Sequence, residues 1–169
     1  MRRACLLLRL PLVSLMAAEP QQDTVTKNLL GAWRLVSVEG TDATRPLAYD
    51  HPTGIIIYDR SGRMSAQVAV TGDRKPFVNG PGSGTLAEKA AAFNSYIAYF
   101  GTYTLDSKEQ TITHHIEENL VPGRRGVKYV RWFEFKDSDH LLLIPREDGK
   151  GGVIERKNAT YKLLWERIK

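Results

Sequence analysis

The sequence predicts an all-β domain in which eight antiparallel strands run up and down around a closed barrel, with one helix inserted between strands 3 and 4. Three observations lead there. Short runs rich in Val, Ile, Tyr, Trp and Thr follow one another, each bounded by Gly, Pro, Asp or Asn. Most links between them are of hairpin length, so strands consecutive in the chain are expected to be neighbours. Only the stretch from Thr85 combines a helical start signal with a helical apolar period. An open eight-stranded sheet would leave two unpaired edges, and closure removes them.

Residues 1–22 differ from the rest. Arg2-Arg3 form a charged start. Leu6-Leu7-Leu8, Leu10, Leu12-Val13 and Leu15-Met16 make an apolar run, and Ala17-Ala18 precede the polar Glu19-Pro20-Gln21-Gln22. This is the order of a secretory signal. The expectation is a leader over 1–22 and a barrel over 23–169, secreted or periplasmic if the leader is a signal peptide and cytoplasmic otherwise. Arg9 and Pro11 break the apolar run, which is too short to span a bilayer, so no stable membrane insertion is expected. The single cysteine, Cys5, lies in this leader. The barrel therefore has no disulfide, thiolate metal site or cysteine nucleophile.

A short helical turn is expected over Thr24–Leu30, with Thr26 or Asn28 available to cap it. The first strand follows at Gly31–Glu39, then a loop, Gly40–Pro52. Gly54–Tyr58 and Arg63–Val70 read as a hairpin around the turn Asp59-Arg60-Ser61-Gly62. Thr71–Gly84 is irregular and ends in Gly80-Pro81-Gly82-Ser83-Gly84. No Lys follows the last glycine and no strand precedes the run, which excludes a phosphate loop and leaves a linker or rim loop. Thr85 and Glu88 form a capping box for a helix over Thr85–Ala98. Leu86, Lys89-Ala90, Phe93 and Ile97 share one of its faces, which predicts a plug for one barrel end, with a lid as the alternative. Strands at Phe100–Asp106, Gln110–Glu118, Val127–Lys136, His140–Ile144 and Ala159–Ile168 complete the count.

The net charge of +5 is spread thinly, with adjacent arginines only at Arg2-Arg3 and Arg124-Arg125. No basic stripe with interleaved aromatics marks a nucleic-acid surface, and no nucleic-acid partner is expected. His51, His114, His115 and His140 show no ligand spacing, so no metal and no cofactor is expected. Serine-hydrolase signatures are absent. Asn158-Ala159-Thr160 is a glycosylation sequon.

Neighbouring residues on a strand point to opposite faces. Ile112, His114 and Ile116 share the apolar face of their strand, so His114 is the interior candidate and His115 the solvent one, unless a bulge exchanges them. On the next strand the aromatic face carries Val127, Tyr129, Arg131, Phe133 and Phe135. An inward arginine needs a partner, because its charge persists at all accessible pH. That partner is a protein carboxylate or an anionic ligand, and Tyr129 would share the site. Tyr103 is expected on the inner face beside Leu105, and Tyr58 and Met64 beside the first hairpin. Aromatic and Met side chains also fill cores, so each of these alone says little.

Gly31-Ala32-Trp33 matches the G-x-W on the first strand of lipocalins. The ordered phrases L-L-G-A-W-R-L-V-S-V-E, S-G-R-M-S-A-Q-V, Y-I-A-Y-F-G-T-Y-T-L-D, T-H-H-I-E, V-R-W-F-E-F and L-W-E-R resemble the lipocalin-like domain family of microbial small proteins, over about residues 28–169. The resemblance implies an eight-stranded calyx-type barrel with a pocket. It also implies that Trp33 closes the barrel floor beneath a basic side chain from the last strand, here Arg167, making Gly31, Trp33 and Arg167 structural. Two features depart from the wider lipocalin pattern: the helix lies between strands 3 and 4, not after the last strand, and disulfides are missing.

Three functional readings follow. The first is a binding protein for a small apolar or amphipathic molecule, with an acidic group, contacted by Arg131, Tyr129, His114, Tyr103, Tyr58 and Met64. The second is an isomerase or cyclase using the cavity, with His114 as catalytic acid or base and Arg131 as electrostatic stabiliser. The third is a structural module with a filled barrel.

Overall fold

The computed structural model describes residues 19–40, 49–146 and 161–169, with side chains from Thr24 onward. The expectations for residues 1–18, including Cys5, and for the sequon at Asn158 lie outside the described residues, as does part of the Gly40–Pro52 loop. The chain forms α1 (Glu19–Leu29), β1 (Gly31–Gly40), β2 (Thr53–Tyr58), β3 (Arg63–Ala69), α2 (Leu86–Asn94), β4 (Tyr96–Asp106), β5 (Thr111–Asn119), β6 (Lys128–Phe135), β7 (His140–Pro145) and β8 (Tyr161–Arg167). Each strand pairs antiparallel with the next, and β8 returns to β1 to close the barrel. With strict up-and-down order, the tight connections 59–62, 107–110 and 136–139 fall at one end together with α1. The described longer connections, 70–95 and 120–127, fall at the other.

The first of these ends is sealed. Leu29, at the end of α1, is fully buried, and Val25 packs on the core. The indole Nε1–H of Trp33 donates to Leu29 O at 2.9 Å. Arg167 on β8 lies over the same indole, 4.1 Å from its centroid, a cation–π contact. Its guanidinium donates to Leu30 O at 2.8 Å, Asn28 O at 2.5 Å and Ser138 O at 3.2 Å. One side chain thus ties α1, the β6–β7 turn and β8 together. Gly31 adopts φ +118°, a conformation that side chains rarely take, which favours glycine there. α1 begins N-terminal to the expected Thr24, so the short turn is a full helix.

Two bulges shift the side-chain parity. Between β1 and β8 the register slips at Val36, so Leu35 faces in and the next inward residue is Val38. Between β4 and β5 it slips at Glu117, opposite the junction of Phe100 and Gly101. A Cβ at Gly101 would lie 1.9 Å from His115 O, so the bulge requires glycine there.

α2 keeps its predicted place between β3 and β4 and its capping box: Thr85 accepts from Glu88 N at 3.2 Å, and Glu88 accepts from Thr85 N at 2.7 Å. It is neither the length nor the plug that the apolar period suggests. The helix stops at Asn94, because Tyr96-Ile97-Ala98 pair with Gln67-Val68-Ala69 of β3 and extend β4. None of its residues is buried, and Leu86 is 87% exposed. Of the stripe, Ile97 belongs to β4 and Leu86 and Phe93 stay exposed, so the face is cut short and covers no core, while the alanines and the cap suffice for a short helix.

Candidate functional site

The strand β5 places the two histidines on opposite faces. His114 is 0% exposed, while His115 faces outward and its Nε2 lies 2.9 Å from Thr104 Oγ1. The bulge at Glu117 falls beyond the pair and leaves their parity unchanged. Directly across from His114 stand Tyr103 on β4 and Tyr129 on β6. These three residues form one row on the inner wall.

Both ring nitrogens of His114 are engaged. Tyr58 Oη lies 2.8 Å from Nε2, and Tyr99 Oη lies 3.2 Å from Nδ1. A neutral imidazole has one donor and one acceptor, which fixes how these bonds run. Tyr58 is fully buried, and His114 is its one hydrogen-bond partner among the described residues. If Nε2 carried the proton, the Tyr58 hydroxyl would have no acceptor in the dry core. Nε2 therefore accepts from Tyr58, and Nδ1–H donates to Tyr99. The imidazole is held neutral. Burial depresses its pKa well below the usual histidine value, and the charges of Arg131 and then His115 add to the effect. Burial likewise raises the Tyr58 phenol, helped by Tyr99 and opposed by Arg131.

Arg131 shares the inner row of β6 with Tyr129, Phe133 and Phe135, as its strand pattern predicts. Its guanidinium carbon stands 5.3 Å from the Tyr129 ring centroid, and Nη1 donates to Val130 O at 3.0 Å. Tyr129 packs edge-on against Tyr99, with ring centroids 5.3 Å apart. Tyr103 packs edge-on against Tyr58 at 5.1 Å, and its hydroxyl donates to Asp59 O at 2.9 Å. The Tyr103 hydroxyl thus serves the sealed end. Met64 pairs in register with Tyr58 and is buried among apolar side chains.

Five of the six expected contact residues, Tyr58, Tyr103, His114, Tyr129 and Arg131, therefore gather on one wall, with Met64 beside them. The sequence reading missed two members, Tyr99 and Asn119. Tyr99 was legible: counting back by twos from Tyr103 through Gly101 reaches it, but the helix was expected to cover the segment next to it. Asn119 was not legible, because only the bulge at Glu117 turns it inward, where its Nδ2 donates to Tyr129 Oη at 3.2 Å.

The opposite wall is apolar. Leu35 and Val38 of β1, Leu141 and Leu143 of β7, and Leu163 and Trp165 of β8 pack there. The interior thus has a polar sector on β4–β6, joined by Tyr58, and an apolar sector on β7, β8 and β1. Such a surface suits a molecule with a polar head and an apolar body. His114 is buried with both ring nitrogens bonded, so its polar atoms reach the rest of the interior only through its tyrosine partners. Among the described residues, no group of three or more His, Cys, Asp or Glu side chains could hold a metal ion. No described helix is long and apolar enough to cross a membrane.

A family model described as a lipocalin-like domain matches residues 30–168. Among curated proteins, none matches the chain.

Proposed function

Since the chain belongs to the lipocalin-like domain family, whose barrel suggests ligand binding in general, we propose that it binds a small apolar or amphipathic molecule bearing an acidic group, with the head toward Arg131 and Tyr129. The observation that carries this reading is the division of the interior. One wall presents a guanidinium among tyrosine hydroxyls and a neutral histidine, and the facing wall presents leucines and an indole. A guanidinium matches a carboxylate in charge and in fork geometry. The apolar wall supplies the area-dependent part of the affinity.

Decanoic acid and methyl decanoate form a matched pair of probes, titrated into the protein by calorimetry. Arg131→Met removes the charge and keeps most of the volume. The acid is expected to weaken by about tenfold or more, as for a lost hydrogen bond to a charged group. The ester is expected to change by less than about threefold, since it carries no charge for the guanidinium to pair. Equal losses for the two probes count against the reading.

A further inference from the structure

The open end of the barrel differs from the sealed end in surface chemistry. Among the described residues, eight large apolar side chains are exposed, and four of them, Val78, Leu86, Phe93 and Val121, lie on the two described connections of the open end. Those connections, 70–95 and 120–127, carry five Lys or Arg against two Asp or Glu. The three connections at the sealed end carry three against four. The second open-end connection starts beside the strand that α2 leads into, since Leu120 N–H donates to Ala98 O at 2.8 Å.

Single exposed apolar residues are ordinary, and four scattered ones would need no account. Those on the first connection are held in place. Glu88 accepts from Thr85 N–H at 2.7 Å to cap α2, and its other oxygen accepts from Val78 N–H at 2.9 Å. One carboxylate thereby folds the loop onto the first turn of the helix. Phe77 packs against Gly84, where a Cβ would stand 2.7 Å from its ring. Val78 is left outward, 88% exposed, and Leu86 on the first turn is 87% exposed. Leu86, Ala90 and Phe93 follow along one exposed helix face with Lys89 among them. The Glu88 carboxylate is spent on the cap, while the side chains of Lys75, Lys89 and Arg124 have no hydrogen-bond or ion-pair partner among the described residues.

We propose that this end of the barrel docks on an anionic lipid surface, with Val78, Leu86 and Phe93 in the head-group region and Lys75, Lys89 and Arg124 against lipid phosphates. Apolar tips alone suit an apolar partner of any kind. The excess of cations around them specifies the sign of the partner's charge. A helix with an apolar stripe flanked by lysine lies along such an interface, because the lysine stem packs with the stripe while the ammonium stays in water. α2 has nine residues and is far too short to cross a bilayer, so the contact is peripheral and reversible. The docking requires no ligand in the barrel. For an amphipathic ligand, the docked mouth opens onto the phase in which such a molecule dissolves.

The experiment uses the whole chain with vesicles of phosphatidylcholine and phosphatidylserine in equal parts, and with phosphatidylcholine alone, the phosphatidylcholine carrying brominated acyl chains. Leu86→Trp places a reporter on the tip, and bromine quenches indole emission only near contact. Quenching beyond that of the wild type, whose Trp33 and Trp165 are buried, is expected with the anionic vesicles and is expected to fade with added salt. The reporter separates this face from the leader at residues 1–22, because binding through the leader leaves position 86 in water. In the Leu86→Trp background, Val78→Ser is expected to weaken vesicle binding about fivefold, for apolar area no longer buried. Lys89→Gln is expected to weaken it about fivefold as well, for one basic residue lost near a charged membrane. All three positions are exposed, so Tm is expected to hold. Emission of Leu86→Trp no more quenched than the wild type, equal quenching with and without phosphatidylserine, or unchanged affinity in both further variants overturns the inference. A wild-type dimer that Val78→Ser or Leu86→Ser dissolves also overturns it, since a second copy would then cover the face.

Discussion

The bond between Tyr58 and His114 reaches between strands that are not neighbours, and its contribution can be measured by a double-mutant cycle. Tyr58→Phe removes one oxygen and leaves the ring in place. His114 Nε2 then faces a dry core with no donor. A change of tautomer only moves the problem, since one ring nitrogen stays without a partner whichever carries the proton. The lost bond and the stranded acceptor together cost about 2 kcal/mol. For a domain of this size that is a fall of roughly 4–8 °C in Tm. His114→Leu strands the Tyr58 hydroxyl in the same way, at a similar cost of about 2 kcal/mol before any change in packing. The double variant removes both polar groups and leaves nothing unsatisfied between them. Its destabilisation is therefore expected to fall short of the sum of the singles by about 1–2 kcal/mol. Urea unfolding followed by tryptophan fluorescence gives the three values, with equal m-values as the check on two-state behaviour. Additivity within about 0.5 kcal/mol would refute the bond as a stabilising pair.

The same histidine sets a pH dependence. Its folded pKa lies well below the usual value of 6.5, so the unfolded chain takes up a proton that the native state refuses. The resulting stability is complete above pH 6.5 and is lost as pH falls toward the folded pKa, by at most about 1.4 kcal/mol per pH unit from this residue. Unfolding free energies between pH 7 and pH 5 should show that slope in the wild type and lack it in His114→Leu; identical slopes would remove His114 as its source. At the bulge, Gly101→Ala sets a methyl group 1.9 Å from His115 O, so the β4–β5 register must open. A loss of about 3 kcal/mol is expected in the same urea assay, and a value within 0.5 kcal/mol of zero would show that the bulge tolerates a side chain.

The barrel was legible because each strand carries its own signal, a period of two bounded by turn residues, and because the resemblance to lipocalins implied a floor built from Trp33 and Arg167. The inward placing of His114 and Arg131 was legible for the same reason: on an unbulged strand, parity decides. Two kinds of information were not local. Glu117 is the extra residue of its strand only because Gly101 on the neighbouring strand lets the backbones approach, and nothing between Thr111 and Asn119 announces it. Asn119 therefore reads as an outward residue until β4 and β5 are paired. The α2 stripe failed for a different reason. A helical period says which residues share a face, and the area of that face decides whether it is buried. Ile97 leaves the stripe for the hydrogen bonds that Tyr96-Ile97-Ala98 gain in the sheet, and Leu86, Ala90 and Phe93 alone offer too little area to hold the helix on the barrel.

The polar chain also bears on how deep a ligand can sit. Tyr58 belongs to β2 and His114 to β5, so their bond crosses the interior past the inner faces of β3 and β4. Tyr58 and His114 are both buried, and Trp33, Phe135 and Arg167 complete the packing toward α1. The Tyr58–His114 bond therefore forms a shelf above the sealed end. Above it come the partly exposed Tyr99 and Tyr129 and the bulge that turns Asn119 inward. Under the proposed function the head group rests at this level, beside Arg131 and Tyr129, where the wall is already rigid. Rigidity follows from the construction: Tyr99 and Tyr129 are each held through the phenol oxygen by a group on the neighbouring β5, so little rotamer freedom remains to be lost on binding. A domain whose chain holds no cysteine from Gly31 onward obtains this pre-organisation from buried hydrogen bonds and the Trp33–Arg167 clamp. Loosening the shelf by Tyr58→Phe should thus lower affinity for the ester probe even though Tyr58 lies below the proposed head-group position.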